Sequence, residues 1–335
     1  MKVSIIIPVY KVSDYIERCI LSVMNQTYQD IECLIVNDYT PDDSMIKCQK
    51  LLDSYHGPIR FVSLNHEKNR GVSASRNTGT EAASGEFIYY LDSDDDITPE
   101  CIACLLEVAE SDSKIEMVQG NYMVCDGNDI CPYYSGDCPP PIIGNMMVRK
   151  SAHTMRGMNG NAPWNKLIRR KFLVDNHIKF REGIIFEDFL WMYYMKKYLT
   201  NIRVLSKTTY NYYVRPNSIM TSTKKRVSME NHFLVYHEML DNLSMGMERI
   251  EMEDYVGVFA SHYLVYAKDY PVFNDLHDMY LKSAKRYGAC KVYFILSMAK
   301  AMNKMNIGID TFDKVIAIRY KFISLLRSFL KWNKC

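Results

Sequence analysis

The 335-residue sequence lacks several features that would assign it to familiar protein classes. It has no run of 18 or more apolar residues, and its N-terminus runs directly into a short apolar segment, so we expect neither a membrane-spanning helix nor a secretion signal. Its 41 basic and 39 acidic residues leave a net charge of +2, which excludes a general attraction to nucleic acid. No glycine-rich phosphate loop lies near residue 10. We therefore expect a cytoplasmic protein that binds anions only locally.

The ten cysteines form no recognisable disulfide or zinc pattern. Cys101 and Cys104 make a C-x-x-C pair within a helical pattern, but the sequence has no matching second pair and no nearby histidines. Others, such as Cys19, Cys33 and Cys48, stand at apolar positions of helix or strand patterns. The sequence therefore predicts buried free thiols in a reducing compartment.

Short apolar segments alternate with helical patterns through the first 125 residues. The alternation predicts an α/β fold with a parallel sheet and right-handed crossovers. Ser13 or Asp14 is predicted to cap the first helix. Strands are predicted at residues 3–9, 31–36, 59–64, 86–91 and 116–124, and helices at 14–26, 43–55, 72–83 and 99–110.

The rest of the chain has a different composition. Residues 126–145 are rich in Gly, Asp and Pro, including Pro139-Pro140-Pro141, and are predicted to form a long surface loop. From about Arg226 the pattern is almost wholly helical, with Met and Tyr at spacings typical of a core. We predict a catalytic domain over residues 1–225 and a helical region over residues 226–335.

Polar residues follow three of the predicted strands, at the edge where open α/β sheets bind ligands. Carboxylates after a buried strand supply the hard oxygen ligands that Mg²⁺ or Mn²⁺ requires beside a diphosphate. Strand alternation places Asp92 and Asp94 on one side, with Asp94 as the direct ligand. The alternative is that Asp92 to Asp95 form a solvated acidic turn without a metal. The segments that should meet are Pro8-Val9-Tyr10, Asn37-Asp38 and Asp92-Ser93-Asp94-Asp95.

Two further acids, Glu187 and Asp188, lie between the apolar segments Ile184-Ile185-Phe186 and Phe189-Leu190-Trp191. Acids in such surroundings are costly unless they are hydrogen-bonded or functional. Desolvation would raise a carboxyl pKa into the range that suits a general base. The alternative is that Asp188 caps a helix over residues 189–198.

Taken in order, these motifs resemble family 2 glycosyltransferases of the GT-A fold, over roughly residues 1–220. The resemblance implies a Rossmann-like, mostly parallel sheet flanked by helices, followed by a C-terminal helical region. It also implies a nucleoside-diphospho-sugar donor, commonly a UDP-sugar, a divalent metal (Mn²⁺ or Mg²⁺) and inversion at the anomeric carbon. The matching segments are Val3-Ser4-Ile5-Ile6-Ile7-Pro8-Val9-Tyr10, Asn25-Gln26-Thr27-Tyr28, Val36-Asn37-Asp38, Asn69-Arg70-Gly71-Val72-Ser73, Arg76-Asn77, Gly85-Glu86-Phe87-Ile88, Asp92-Ser93-Asp94-Asp95, Pro163-Trp164-Asn165-Lys166 and Phe186-Glu187-Asp188.

The resemblance assigns roles to individual residues. Asp188 would be the general base with Glu187 as its support, while Asp94 and Asp92 would hold the metal. Trp164 would shape the acceptor pocket, with core packing as the alternative. Residues implied to bind the nucleotide-sugar are Pro8, Tyr10 (stacking on the base), Asp38 (accepting from a uracil N–H), Arg76, Asp92, Ser93 and Arg215 (at the leaving group).

One segment departs from the family pattern. Relatives usually carry Asp-Asp-Gly-Ser after the second strand, whereas this chain has Asn37-Asp38-Tyr39-Thr40. Asp38 keeps the position of the uracil-contacting acid, but Tyr39 replaces a small flexible residue beside the base. The nucleotide preference is therefore less defined than the fold.

The implied enzyme is a hexosyl- or N-acetylhexosaminyltransferase that acts on a glycan or lipid-linked glycan in cell-surface polysaccharide synthesis, such as capsule assembly. Residues 311–335 form a basic amphipathic pattern with a local net charge of about +5, which suits the anionic inner face of a membrane. Packing of this segment against residues 230–300, including within a homodimer, is the alternative. Rival functions are a nucleotidyltransferase and a catalytically silent sugar-nucleotide-binding protein.

Overall fold

The computed structural model describes residues 1–127, 129–133, 141–145, 148, 160–215 and 224–305. The described residues belong to two compact units, which divide between residues 223 and 224. The first unit contains the sheet, and the second is helical in its described part.

A single mixed sheet forms the centre of the first unit. Its described part has ten strands, and their order is β3-β2-β1-β4-β9-β6-β10-β5 once numbered along the chain, with β7 paired to β6 and β8 paired to β10. The strands are β1 (Val3–Val9), β2 (Ile31–Asn37), β3 (Arg60–Asn65), β4 (Phe87–Tyr90), β5 (Asp96–Ile97), β6 (Met117–Asp126), β7 (Asp129–Pro132), β8 (Ile142–Ile143), β9 (Lys166–Arg169) and β10 (Asn201–Tyr213).

The first four strands run parallel, whereas the later part of the sheet mixes directions. Strand β1 pairs in parallel with β2 and β4, and β2 with β3, so their carboxyl ends lie at one edge. Strand β9 runs antiparallel between β4 and β6, and β10 is parallel to β6. The predicted parallel sheet is confirmed for β1 to β4.

Helices cover both faces of this sheet, which confirms the predicted α/β layers. Strand alternation directs Ile5 and Ile7 of β1 to one face and Ile6 to the other. On the Ile6 face, a Cβ on Gly79 would lie 2.4 Å from Ile6 Cγ2, so only glycine permits so close an approach of helix and strand. The helices of this unit are α1 (Ile16–Met24), α2 (Ser44–Ser54), α3 (Val72–Ala82), α4 (Cys101–Glu110), α5 (Arg170–Asp175) and α6 (Glu187–Tyr198).

Two local predictions were wrong. The first helix begins at Ile16 after Tyr15, and no side chain caps it, so neither Ser13 nor Asp14 has the predicted role. Within the predicted loop at 126–145, β7 pairs with β6 and β8 with β10, because short strands are stabilised by a partner strand rather than by their own pattern. Residues 128 and 134–140 of that loop lie outside the described residues.

The second unit is helical in its described part, as expected from residue 226 onward. Its core is aromatic: the rings of Phe259 and Tyr280 stack with centroids 4.4 Å apart, and the Tyr280 hydroxyl donates to the Tyr236 carbonyl at 2.9 Å. The basic segment 311–335 lies outside the described residues. The helices are α7 (Lys225–Asp241), α8 (Glu248–Tyr266), α9 (Val272–Arg286) and α10 (Cys290–Lys304).

All the cysteines that the structure describes are free. Cys19, Cys33, Cys48 and Cys101 are buried as predicted, whereas Cys131 and Cys290 are exposed. Within the described ranges, no helix combines the length and the apolar character needed to cross a bilayer.

Candidate active site

Three carboxylates meet where β4 ends. Asp92, Asp94 and Asp95 offer oxygens that all lie within 4.8 Å of one another. Asp95 is buried and already engaged, because it accepts hydrogen bonds from the Tyr210 hydroxyl at 2.6 Å and the Tyr213 N–H at 2.9 Å. Asp95 therefore anchors β10 to the site, while Asp92 and Asp94 remain more accessible to a cation.

Asp94 has two basic neighbours. Arg215 forms an ion pair with its carboxylate through Nε, and Arg18 Nη2 donates to its backbone carbonyl at 2.6 Å. Burial, followed by repulsion from Asp92, raises the pKa of Asp94, and Arg215 opposes this shift. The structure therefore places Arg215 at the carboxylate cluster, where its charge partly compensates the crowded acids.

Arg76 joins the carboxylate cluster to the second acidic motif. Its side chain is buried, with Nη2 donating to Asp92 Oδ1 and Nη1 to Glu187 Oε1, both at 2.8 Å. Burial alone would lower the pKa of Arg76, but the charges of Asp92 and Glu187 raise it. Arg76 was predicted to face the donor; in the structure its side chain lies between Asp92 and Glu187, and its contact with a donor stays a prediction.

The next residue on α3 positions the chain segment that leads to the acids. Asn77 Nδ2 donates to the Phe180 carbonyl and its Oδ1 accepts from the Phe180 N–H, both at 2.9 Å. Arg70, just before α3, pairs with Glu182 on the same segment at 3.1 Å. Helix α3 therefore fixes both Asp92, through Arg76, and the segment that leads to Glu187.

Glu187 and Asp188 form the first turn of α6. Phe186, which precedes them, has a left-handed φ of +65°, a conformation that is strained for a bulky residue. Asp188 Oδ1 accepts from the Phe189 N–H at 2.8 Å. Burial raises the pKa of both acids, while Arg76 lowers it. Because the helix starts at Glu187, Asp188 does not cap a helix over 189–198 in the predicted manner.

The edge formed by β1 and β2 presents two exposed tyrosines. Tyr10 is 41% exposed and Tyr39 is 62% exposed, and their loops are joined by a 2.8 Å hydrogen bond from the Lys11 N–H to Thr40 Oγ1. Tyr39 has a φ of +56°, the left-handed conformation for which glycine is suited. The Tyr10 ring is therefore exposed, and its stacking on a base stays a prediction.

Asp38 is buried and shapes the loop before α3. Its Oδ1 lies 2.7 Å from His66 Nδ1 and accepts from the Arg70 N–H at 2.8 Å. Its Oδ2 accepts from Asn69 Nδ2 at 2.9 Å and from the Gly71 N–H at 2.7 Å. With four such neighbours, Asp38 holds the loop in this structure, and its direct contact with uracil stays a prediction.

The remaining predicted residues are buried. Pro8 lies in β1 opposite Val36, and Ser93 lies between the two accessible aspartates. Trp164 is 8% exposed and stacks on Tyr210, with ring centroids 4.6 Å apart. This burial favours core packing for Trp164, and its acceptor role stays a prediction.

Sequence reasoning missed several residues that build the site. Arg18 stacks over Tyr213 at 3.5 Å and pairs with Asp96 at 3.1 Å, yet in sequence it resembles an ordinary surface charge on α1. Tyr210 binds Asp95 from more than a hundred residues away, and His66 lies against Asp38. For Tyr210 the sequence did contain a signal. Strand β10 ends with Tyr210 and Tyr212 at alternating positions, close to the edge of the sheet where the carboxylates lie.

Comparison with known proteins assigns the family. Residues 4–175 match the model described as glycosyl transferase family 2. The chain belongs to that family. This confirms the resemblance seen in the sequence motifs.

Two similar curated proteins are bacterial glycosyltransferases. This glycosyltransferase is 26% identical over 255 residues to the uncharacterized glycosyltransferase YibD of Escherichia coli (strain K12), a match that covers 72% of this chain and 71% of YibD. It is 30% identical over 237 residues to the uncharacterized glycosyltransferase EpsJ of Bacillus subtilis (strain 168), which covers 69% of this chain and 66% of EpsJ.

The fold of the glycosyltransferase resembles that of Staphylococcus aureus TarS, residues 1–349, in complex with UDP-GlcNAc. The TM-score is 0.68 at 22% identity, and the match covers 93% of this chain and 89% of the TarS chain. Together with the central sheet flanked by helices, this similarity confirms the predicted GT-A fold.

Proposed function

We propose that the chain is an inverting glycosyltransferase that moves a sugar from a nucleoside-diphospho-sugar, most suitably a UDP-sugar, to a hydroxyl group of an acceptor. A hexosyl or N-acetylhexosaminyl group is proposed as the transferred sugar. The observation that carries the proposal is the position of Arg76, which bonds to Asp92 and Glu187 at 2.8 Å each. One guanidinium thus links the acids suited to a metal and diphosphate with those suited to proton transfer.

A divalent metal fits the residues at the end of β4. Asp92 and Asp94 each retain one carboxylate oxygen outside the ion pairs described above, and hard oxygen ligands suit Mg²⁺ or Mn²⁺. When bound, such an ion would neutralise the charge of the leaving diphosphate. GT-A enzymes commonly use such an ion. Arg215, beside Asp94, is placed to add positive charge at the same end.

Asp188 is the proposed general base. The acceptor oxygen attacks the anomeric carbon while its proton passes to Asp188, and the bond from that carbon to the diphosphate oxygen breaks on the opposite face. The nucleoside diphosphate leaves with the bonding electrons. The raised pKa of Asp188 brings its basicity closer to neutral pH than that of a solvated carboxylate.

The nucleotide end of the donor is proposed to bind beside Tyr10 and Asp38. Tyr10 supplies an exposed ring at the end of β1, and Asp38 either contacts the base directly or shapes the loop that does so. TarS was crystallised with UDP-GlcNAc, which makes UDP-N-acetylglucosamine the first donor to test. Ser93 and Pro8 would line the same crevice.

The acceptor is proposed to be a glycan or lipid-linked glycan in cell-surface polysaccharide assembly, including capsule, with Trp164 supporting the pocket from the core. The basic segment 311–335 suits peripheral contact with the inner face of a membrane. Co-sedimentation with anionic liposomes, comparing the full chain with a chain truncated at residue 310, tests this contact. Equal sedimentation would contradict it, and the alternative of packing within a homodimer would then be tested by sedimentation velocity.

A donor screen followed by one substitution tests the enzymatic proposal. UDP-sugars are incubated with Mn²⁺, and released UDP is measured with water as the acceptor. Asp188→Asn should reduce turnover about 100-fold to 10,000-fold, the usual contribution of general base catalysis, and leave UDP affinity unchanged. Unchanged turnover would remove Asp188 from the mechanism. Lack of release from every donor would favour a catalytically silent binding protein.

A further inference from the structure

Tyr39 is an exposed aromatic residue that has no role in the mechanism described so far. It follows Asp38, just beyond the end of β2, and it is 62% exposed, more than any other tyrosine in the described part of the chain. Single exposed rings are common on protein surfaces. The backbone and the neighbours of this ring therefore decide whether it has a use.

The backbone at Tyr39 has a conformation that a tyrosine adopts only at a cost. Its φ of +56° lies in the left-handed region, where the Cβ atom of a bulky residue is crowded and where glycine fits freely. Strained residues of this kind are concentrated at ligand-binding sites, where the surrounding structure holds them in place. An exposed ring kept at such a position points to a function for the ring itself.

Hydrogen bonds on both sides of Tyr39 hold residues 38–40, which we call the Tyr39 turn. The Thr40 N–H donates to Asn37 Oδ1 at 2.9 Å, and the Thr40 hydroxyl donates to Asp42 Oδ1 at 2.7 Å. The Asp38 carboxylate is held by the loop before α3, as described above. The ring of Tyr39 is therefore presented by a fixed turn, and such preorganisation lowers the entropic cost of binding.

The Tyr39 turn is also bonded to the end of β1, on both sides of Tyr10. The Val9 carbonyl accepts from the first N–H of the turn at 3.0 Å, and the Lys11 N–H donates to Thr40 Oγ1 at 2.8 Å. Strands β1 and β2 pair in parallel, and paired strands lie about 4.8 Å apart. The two exposed tyrosines therefore stand at neighbouring strand ends, on the edge where open α/β sheets bind ligands.

On the basis of the proposed function, we propose that Tyr39 is a second stacking residue for the donor, and that the nucleobase lies between its ring and that of Tyr10. The Lys11 ammonium lies 5.3 Å from the centroid of the Tyr10 ring, so the base uses the other face of that ring. Stacking needs only the flat face that every base has. Tyr39 therefore adds affinity for the base of a nucleoside diphosphate without selecting which base is bound.

The test compares Tyr39→Asn, Tyr39→Phe and Tyr198→Asn in the full chain, with calorimetry of UDP in the presence of Mg²⁺. Asparagine removes the ring but tolerates the left-handed conformation, so the turn is kept. Phenylalanine keeps the ring. Tyr198 is a matched control because it is 46% exposed and ends α6, about 16 Å along the helix from Glu187.

Tyr39→Asn should weaken UDP binding about 5-fold to 150-fold, the usual effect of removing one aromatic ring from a stacked base. Tyr39→Phe and Tyr198→Asn should stay within about twofold of the wild type, because both leave the stack intact. Binding of pyrophosphate with Mg²⁺ should also stay within about twofold in Tyr39→Asn, since pyrophosphate has no base to stack. Unchanged UDP affinity in Tyr39→Asn, or an equal loss for pyrophosphate, would overturn the proposal.

Melting temperatures separate a stacking role from a structural one. Tyr39→Asn should melt at or above the wild-type temperature, because asparagine relieves the left-handed strain; a lower temperature would show that the ring supports the fold instead. A wild type that binds no nucleoside diphosphate would refute the proposed function together with this inference. Equal UDP binding by the wild type and Tyr39→Asn would refute the inference alone.

Discussion

Replacing Arg76 with Met tests whether one guanidinium holds the two acidic motifs together. The substitution keeps a flexible apolar side chain but leaves Asp92 and Glu187 without their shared partner. Removing one member of a buried ion pair costs about 3–5 kcal/mol, because the remaining charges stay desolvated. At about 2–4 °C per kcal/mol for a unit of this size, the melting temperature should fall by roughly 6–20 °C at pH 8.

The loss caused by Arg76→Met should be smaller at pH 5. Burial raises the pKa of Glu187 and Asp188, so their contribution to stability is present at low pH and is lost as the pH rises through the folded-state pKa. In the wild type, Arg76 lowers the pKa of Glu187 and of Asp188, so both pKa values rise further when Arg76 is replaced. More of the buried acid is then neutral at pH 5, which relieves the unpaired charge.

Tryptophan fluorescence can follow this unfolding in the sheet-containing unit. Trp164 and Trp191 are buried there, and Trp332 is changed to Phe in every variant so that it does not contribute. Arg70→Met is the control, since its pair with Glu182 is exposed and should contribute at most about 1 kcal/mol. Equal losses for the two arginine variants, or a loss for Arg76→Met that is the same at both pH values, would refute the reasoning.

Two other substitutions test the donor end of the site. Asp94→Asn should weaken Mn²⁺-dependent UDP binding at least about tenfold in calorimetry while leaving metal-free binding unchanged, because it removes a hard carboxylate ligand; identical metal-dependent affinities would contradict the assignment. Tyr39→Gly should raise the free energy of unfolding by about 1–2 kcal/mol, because the residue has a φ of +56°, whereas Tyr39→Phe should give no gain. Equal stability of these two variants would show that the backbone there is not strained.

Strands β1, β2 and β4 were predictable because they are buried on both faces. Strand β1 occupies the predicted residues 3–9, and every side chain in it is buried, so a continuous apolar run marked it clearly. The metal site at Asp92 to Asp95 was predicted because these residues directly follow such a strand. These features depend on local sequence and on the parallel arrangement of the sheet.

Other features depend on distant partners and were not predictable. The partners of Asp95 are Tyr210 and Tyr213 of β10, and the pairing of β10 with β6 contains register shifts. Trp164 was assigned equally to the core and to the acceptor pocket, because an aromatic residue before a strand suits both. The partners of Arg76 required a three-dimensional arrangement of α3, β4 and α6.

Helix α3 joins the two acidic motifs that the proposed function assigns to the donor and to the general base. Helix α3 packs closely against β1 at Gly79, and the Asp38 carboxylate accepts a hydrogen bond from the Gly71 N–H in the loop before it. Asn77 of the same helix forms hydrogen bonds with both backbone groups of Phe180. These contacts use backbone groups and a buried carboxylate, so they do not depend on the shape of any sugar. In the proposed enzyme, the acceptor pocket could therefore change between relatives while helix α3 keeps the spacing between Asp92 and Glu187.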